Sequence, residues 1–154
     1  MAYLVIRIKG TVNVRHDFKK TLESLNLTRA NHAVVVPENP YYEGMLKKAK
    51  DFITWGKIDK ETLEKLIRVR GRLLGDKPIT EEYIAEHTQF KNLGELCEAI
   101  VNNNFNYKNI PNIKPIFRLH PPRKGYRGIK KPFVLGGSIG YRDTKINELV
   151  MRMI

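Results

Sequence analysis

Residues 32–58 read HAVVVPENPYYEGMLKKAKDFITWGKI, and this stretch decides the fold class. HAVVVP (32–37) is a β-branched run closed by Pro37, the pattern of a strand that ends at a breaker. Asn39 then stands as a helix cap with Pro40 in the first turn. Tyr42, Met45, Leu46, Ala49, Phe52 and Ile53 fall along one side of the following segment, so the spacing predicts a helix over 39–53. TWGKI (54–58) follows as a short strand.

Upstream, YLVIRIK (3–9) alternates as a strand does, with Leu4, Ile6 and Ile8 on one face and Tyr3, Val5, Arg7 and Lys9 on the other. RHDFKKTLESLNL (15–27) places Phe18, Leu22 and Leu25 at helical spacing. Residues 1–58 therefore read strand, helix, strand, helix, strand, an α+β unit with its helices on one face of a three-stranded sheet.

Residues 59–154 form an extension of different character. Asp59 caps a helix predicted over 60–75 and ended by Gly75, and Thr80 caps EEYIAEH, whose first-turn glutamates suit the helix dipole. Asn92 and Glu95 have capping-box spacing ahead of LGELCEAIVNN, with Cys97 on the apolar face. Beyond Asn102 the pattern loosens. IFRL (116–119) and PFVLGG (132–137) read as the two strands of an extended β-hairpin around a basic tip, and Asp143 as the cap of a final helix.

Charge points to the kind of partner. The 154 residues carry a net +12 and are 42% hydrophobic, enough to build one core, and the sequence pI is about 9.9. Residues 1–58 contribute +5, residues 59–98 contribute −2 and residues 99–154 contribute +9. Between Glu98 and Asp143 stand nine Lys and Arg and no carboxylate. Ordinary surfaces mix both signs, so such a block repels itself unless a polyanion neutralises it. A flexible solubilising tail is the bland alternative, but Phe117, Tyr126, Phe133 and Tyr141 are interleaved with the cations, which is not a disordered composition.

Residues for catalysis are absent by pattern. His16, His32, His87 and His120 share no ligand spacing, and the single Cys97 forms neither a CxxC pair nor an intramolecular disulfide. No G-x-S-x-G elbow is present, and GGSIG (136–140) lacks the Lys-Ser/Thr ending of a phosphate-binding loop. No cofactor is implied. No signal peptide or membrane span is readable, which makes a reducing cytoplasm the default. What remains is electrostatic: Arg118, Arg123, Lys124, Arg127, Lys130, Lys131 and Arg142 for phosphates, Gly125 and Gly128 for close backbone approach, and Tyr126 to stack on an unpaired base or to pack on the stem. On these grounds nucleic acid is the partner. A DNA-binding or RNA-modifying protein is the alternative to a structural RNA binder.

The segments LNLTRANHAVVV, NPYYEGML, ITWGKID and, most specifically, GGSIGYRDTKINELVMRM resemble large-subunit ribosomal protein thirty in its long archaeal and eukaryotic form, called large-subunit protein seven in eukaryotes. The resemblance spans essentially the whole chain. It implies a ferredoxin-like βαβαβ core with helices on one face of a three-stranded, mainly antiparallel sheet, and an extension carrying the hairpin. It also implies a non-enzymatic constituent of the cytoplasmic large ribosomal subunit, held on large-subunit ribosomal RNA near 5S ribosomal RNA and neighbouring ribosomal proteins. Arg29 and the Arg123–Lys131 loop are the RNA contacts it implies, followed by Lys9, Arg15 and Arg142.

Overall fold

A computed structural model describes residues 2–10 and 12–154. The first 58 residues form β1 (Tyr3–Arg7), α1 (His16–Ser24), β2 (His32–Val36), α2 (Pro40–Lys48) and β3 (Ile53–Lys57), in the predicted order. β1 lies between β2 and β3 and is antiparallel to both, with Val5 opposite Val34 and Trp55. α1 stops where Asn26 turns into the left-handed region (φ 62°), and α2 stops at Lys48, four residues before β3. The helix predicted over 39–53 is therefore shortened: Ile53 pairs with Arg7, so sheet hydrogen bonding claims the end of the apolar pattern.

The alternation in β1 was read with the right parity, yet both of its faces are buried. Tyr3 and Val5 pack with Leu22, Leu25 and Leu46 under α1 and α2. Leu4 and Ile6 face the opposite way, into a larger cluster with Leu66, Leu96, Phe117 and Leu149. That second layer comes from α3 (Lys60–Arg70), α5 (Leu93–Val101) and α6 (Ile146–Met153), with α4 (Glu81–His87) at its margin. The sheet is thus covered on both faces, and the apolar stripes of the extension pack on the sheet and on one another, α3 against α5 and α6. Among the described residues no helix is long and apolar enough to cross a membrane.

Four caps form as the sequence implies. Asn39, Asp59, Thr80 and Asn92 accept from the backbone N–H groups of Tyr42, Thr62, Tyr83 and Glu95 at 2.8–3.1 Å. α3 ends at Arg70 rather than near Gly75, because Gly71 turns to extended backbone and residues 72–73 become β4, paired with β5 (Ile113–Lys114). Asp143 does not cap the last helix: it lies at φ 49° in a 3₁₀ turn, Asp143–Lys145, and its carboxylate accepts from Tyr141 Oη.

The largest departure concerns the predicted hairpin. β6 (Ile116–Arg118) pairs with β2, Ala33 opposite Phe117, while Phe133–Leu135 is a 3₁₀ turn and not a strand. The chain returns through β7 (Gly140–Tyr141), parallel to β3, giving the order β6-β2-β1-β3-β7. The core sheet is extended at both edges by the C-terminal segment, and the basic residues lie on the crossover between those edges. Edge strands expose unpaired N–H and C=O groups, so IFRL gains more from an existing edge than from a second short strand of its own.

Gly56 lets this close packing happen. A Cβ there would stand 2.0 Å from the carbonyl oxygen of Asp143 and 3.0 Å from Ile146 Cβ, so only glycine admits the start of α6 against β3.

Candidate nucleic-acid interface

The crossover, residues 119–139, is strapped down along both limbs. On the outgoing limb the N–H of His120 donates to Met153 O and the N–H of Arg123 to Arg152 O, while Arg152 Nη1 donates to the carbonyls of Arg123 and Gly125 at 3.2 and 3.3 Å. Gly125, at φ 69°, closes the turn by donating to Pro122 O. On the returning limb the Ser138 hydroxyl donates to Arg127 O and its N–H to Lys131 O. Gly137 is buried there with Lys131 O only 1.9 Å from where a Cβ would be, so the two limbs touch through bare backbone.

Two of the predicted contact residues turn out to hold this crossover from inside. Arg142 is 7% exposed: its Nε donates to Thr54 Oγ1 at 2.8 Å, its Nη2 to Ser138 O at 2.5 Å, and its guanidinium lies 4.8 Å from the centre of the Phe133 ring. Burial pushes its pKa down to about 10. Its charge is spent within the fold, which corrects its reading as a phosphate contact. Tyr126 is partly buried, packs against the main cluster and donates from Oη to Asn31 Oδ1 at 2.7 Å, so its ring is held on the stem.

The remaining crossover cations face outward. Arg123, Lys124, Arg127, Lys130 and Lys131 are all exposed, and among the described residues none of their side chains enters an ion pair. Lys124 and Arg127 also line a groove of about 940 Å³ against α6, where Lys145 and Arg152 join them, Tyr126 and Arg142 form part of the wall and Glu148 is the one carboxylate of the lining. Arg118 is exposed on β6 opposite His32, and Arg29, also exposed, sits in the turn before β2. Burial first, then the positive charges of Arg118, Arg29 and Arg7, hold the His32 imidazole below its ordinary pKa.

Lys9 and Arg15 contact residues of the first 58. Lys9 is half-buried with Nζ 5.9 Å from the centre of the Phe52 ring, and Arg15 is paired with Asp17 at 2.8 Å. Arg7, 3% exposed, is internal: it donates to the carbonyls of Lys9, Leu27 and Gly10 and so ties the end of β1 to the loop before β2.

Sequence reasoning missed Arg70, Arg72, Lys114, Lys145 and Arg152. Arg70 and Arg72 sit in the segment whose net charge is −2, where summing concealed them. Two of its acids, Glu64 and Glu81, are engaged with Arg68, and among the described residues neither Arg70 nor Arg72 enters an ion pair. The run RVRGR (68–72) was the signal available.

The burial of Cys97 inside the main cluster pushes its thiol pKa up to about 12, which leaves a core residue and no nucleophile. The molecule is a three-layer α+β body with five exposed cations on a strapped crossover. The profile of the family described as Ribosomal protein L30p/L7e matches residues 3–53. The chain is 50% identical over 152 residues to large ribosomal subunit protein uL30 of Methanosphaera stadtmanae, covering 99% of both chains. It is 51% identical over 156 aligned positions to the uL30 protein of Methanococcus maripaludis strain C5, covering both in full. Against that of Methanocorpusculum labreanum the identity is 46%, over 98% of this chain and 99% of the relative. The chain belongs to the L30p/L7e family of ribosomal proteins, and it is a structural protein rather than an enzyme.

Proposed function

We propose that this structural constituent of the large subunit of the cytoplasmic ribosome grips large-subunit ribosomal RNA through the crossover cations Arg123, Lys124, Arg127, Lys130 and Lys131. Arg118 and Arg29 extend the contact along the β6 edge, and Lys9 and Arg15 add weaker points. The observation that carries this reading is that the five crossover cations are exposed and, among the described residues, free of ion pairs, while Arg142, Tyr126 and Arg152 fix the backbone beneath them. A held scaffold loses less conformational entropy on binding than a free tail does. Residues 1–58 act as the core unit and residues 59–154 as the extension that supplies the arm. Neighbouring ribosomal proteins and 5S ribosomal RNA are the further partners this reading implies.

The test is RNA affinity against salt, for wild type and for a chain with the five crossover cations changed to glutamine. Each phosphate contact contributes a log–log slope of about −0.7 to −0.9, so the variant slope should be shallower by several such increments. An unchanged slope would remove the crossover from the interface. Equal affinity for duplex DNA and structured RNA would overturn the RNA assignment, because A-form shape and 2′-hydroxyls distinguish the two.

A further inference from the structure

A second basic locus lies beside the β6 edge from which the crossover starts. The end of α3, the β4–β5 ribbon and the edge strand β6 enclose a notch of about 190 Å³ lined by Arg70, Arg72, Asp76, Lys114, Ile116 and Arg118. Four cations therefore face one carboxylate. Lys114 Nζ holds Asp76 Oδ1 at 2.6 Å and Arg118 Nη1 reaches the same oxygen at 3.5 Å. Arg72 is fixed through Nη1, which donates to the carbonyls of Val69 and Gly71 at 3.2 and 2.8 Å. The Nε–H of Arg70 is buried and has no acceptor among the described residues. A buried donor left unpaired costs about 1–3 kcal/mol, and a partner that reached it would recover that cost.

These cations come from two stretches of chain far apart in sequence and are brought together by the β4–β5 pairing, Arg72 opposite Lys114 and Leu73 opposite Ile113. Asp76 is delivered by the tight turn after β4, where it adopts a left-handed conformation, φ 61°. Its carboxylate neutralises part of the notch and leaves an excess of three positive charges. The volume is sufficient for one tetrahedral anion and a few waters, and too small for a base with its sugar.

We propose that this notch is a preformed seat for a single phosphate group of the RNA backbone, with Arg70, Arg72, Lys114 and Arg118 as donors and Asp76 as a resident counter-anion that weakens it. The proposal rests on the RNA-binding reading above and concerns a separate group of side chains, which shares only Arg118 with the contacts named there. It carries an unusual sign: removing Asp76 should tighten binding, although Asp76 makes two ion pairs in the free protein. Asparagine tolerates the left-handed conformation at least as well as aspartate, so D76N leaves the turn intact.

The experiment measures affinity and salt slope on a large-subunit ribosomal RNA fragment for wild type, D76N, K114Q and the five-site crossover variant, with thermal melts to confirm folding. D76N should bind about 3- to 5-fold tighter, and K114Q should lose about one phosphate increment of slope. If Asp76 only staples the fold, D76N binds no better than wild type and the proposal is overturned. A shallower slope in the crossover variant alone overturns the notch and leaves the RNA-binding reading standing, whereas no change in any variant overturns both. A parallel titration with inorganic phosphate, followed by the backbone amide shifts of residues 70–76 and 114–118, separates the sources. Saturable shifts there combined with unaltered RNA binding by K114Q would make the notch a free-anion site and overturn its assignment to RNA.

Discussion

Gly56 is the place where one methyl group tests the three-layer arrangement. In G56A the added Cβ would meet Asp143 O at 2.0 Å. An ordinary carbon–oxygen approach is about 3.3 Å, so the segment from Asp143 into α6 must withdraw by about 1.3 Å or β3 must bend. Overfilling a packed site costs about 1–3 kcal/mol, and an obstacle made of backbone belongs at the upper end, about 3 kcal/mol. For a chain of this size each kcal/mol lowers Tm by about 2–4 °C, so G56A should melt about 6–12 °C lower. The companion change G44A sits within α2, where a Cβ meets nothing within 4 Å. There the helix gains about 0.5–1 kcal/mol from the stiffer residue, and Tm should rise by about 1–4 °C. Circular dichroism melts of both variants make the comparison, since the same chemical change is predicted to act with opposite signs at the two positions. A G56A melt within about 2 °C of wild type would refute the close approach of Asp143 to β3, and with it the seating of α6 on the sheet. Because Arg152 and Met153 of α6 hold the outgoing limb of the crossover, G56A should also speed tryptic cleavage after the crossover's lysines and arginines.

Two further expectations concern the stem and the sheet edge. Y126F removes the hydrogen bond to Asn31 and should cost about 1 kcal/mol, seen as a drop of about 2–4 °C in Tm, whereas an unchanged melt would mean the hydroxyl is not held in the stem. His32 has its folded pKa lowered from the ordinary 6.5, chiefly by burial and then by Arg118 and Arg29. The unfolded chain therefore takes up the proton first, and stability that is complete above that value fades as the pH falls below it. Between about pH 7.5 and pH 5.5 the wild type should lose more stability in urea titrations than H32Q, and equal losses would contradict the placement of His32 beside those arginines.

The crossover shows why local pattern was not enough. IFRL and PFVL looked equivalent as sequence, yet Ile116–Arg118 docks on β2 while Phe133–Leu135 curls into a 3₁₀ turn. Partner choice among short strands is set by which edges are already built, and that is not a local property. The same holds for Arg142 and Tyr126. Arg142 matched Arg127 and Lys130 by charge and Tyr126 stood between Lys124 and Arg127, and only the packing of Phe133, Thr54 and Asn31 around them turned that pattern into a clasp.

By itself the sequence determined the α+β class, the order of the first five elements, the four helix caps that form and the strong positive charge of the chain. Each of these depends on interactions within a few residues, or on a sum over the chain, and both are readable without coordinates. Only the tertiary structure decided that both faces of the sheet are covered, that the C-terminal segment supplies both edge strands, and that Arg70, Arg72, Lys114 and Arg118 converge on one notch. Those outcomes depend on which distant surfaces meet, and a cation's availability to phosphate is settled by the carbonyls, rings and carboxylates that the fold brings to it.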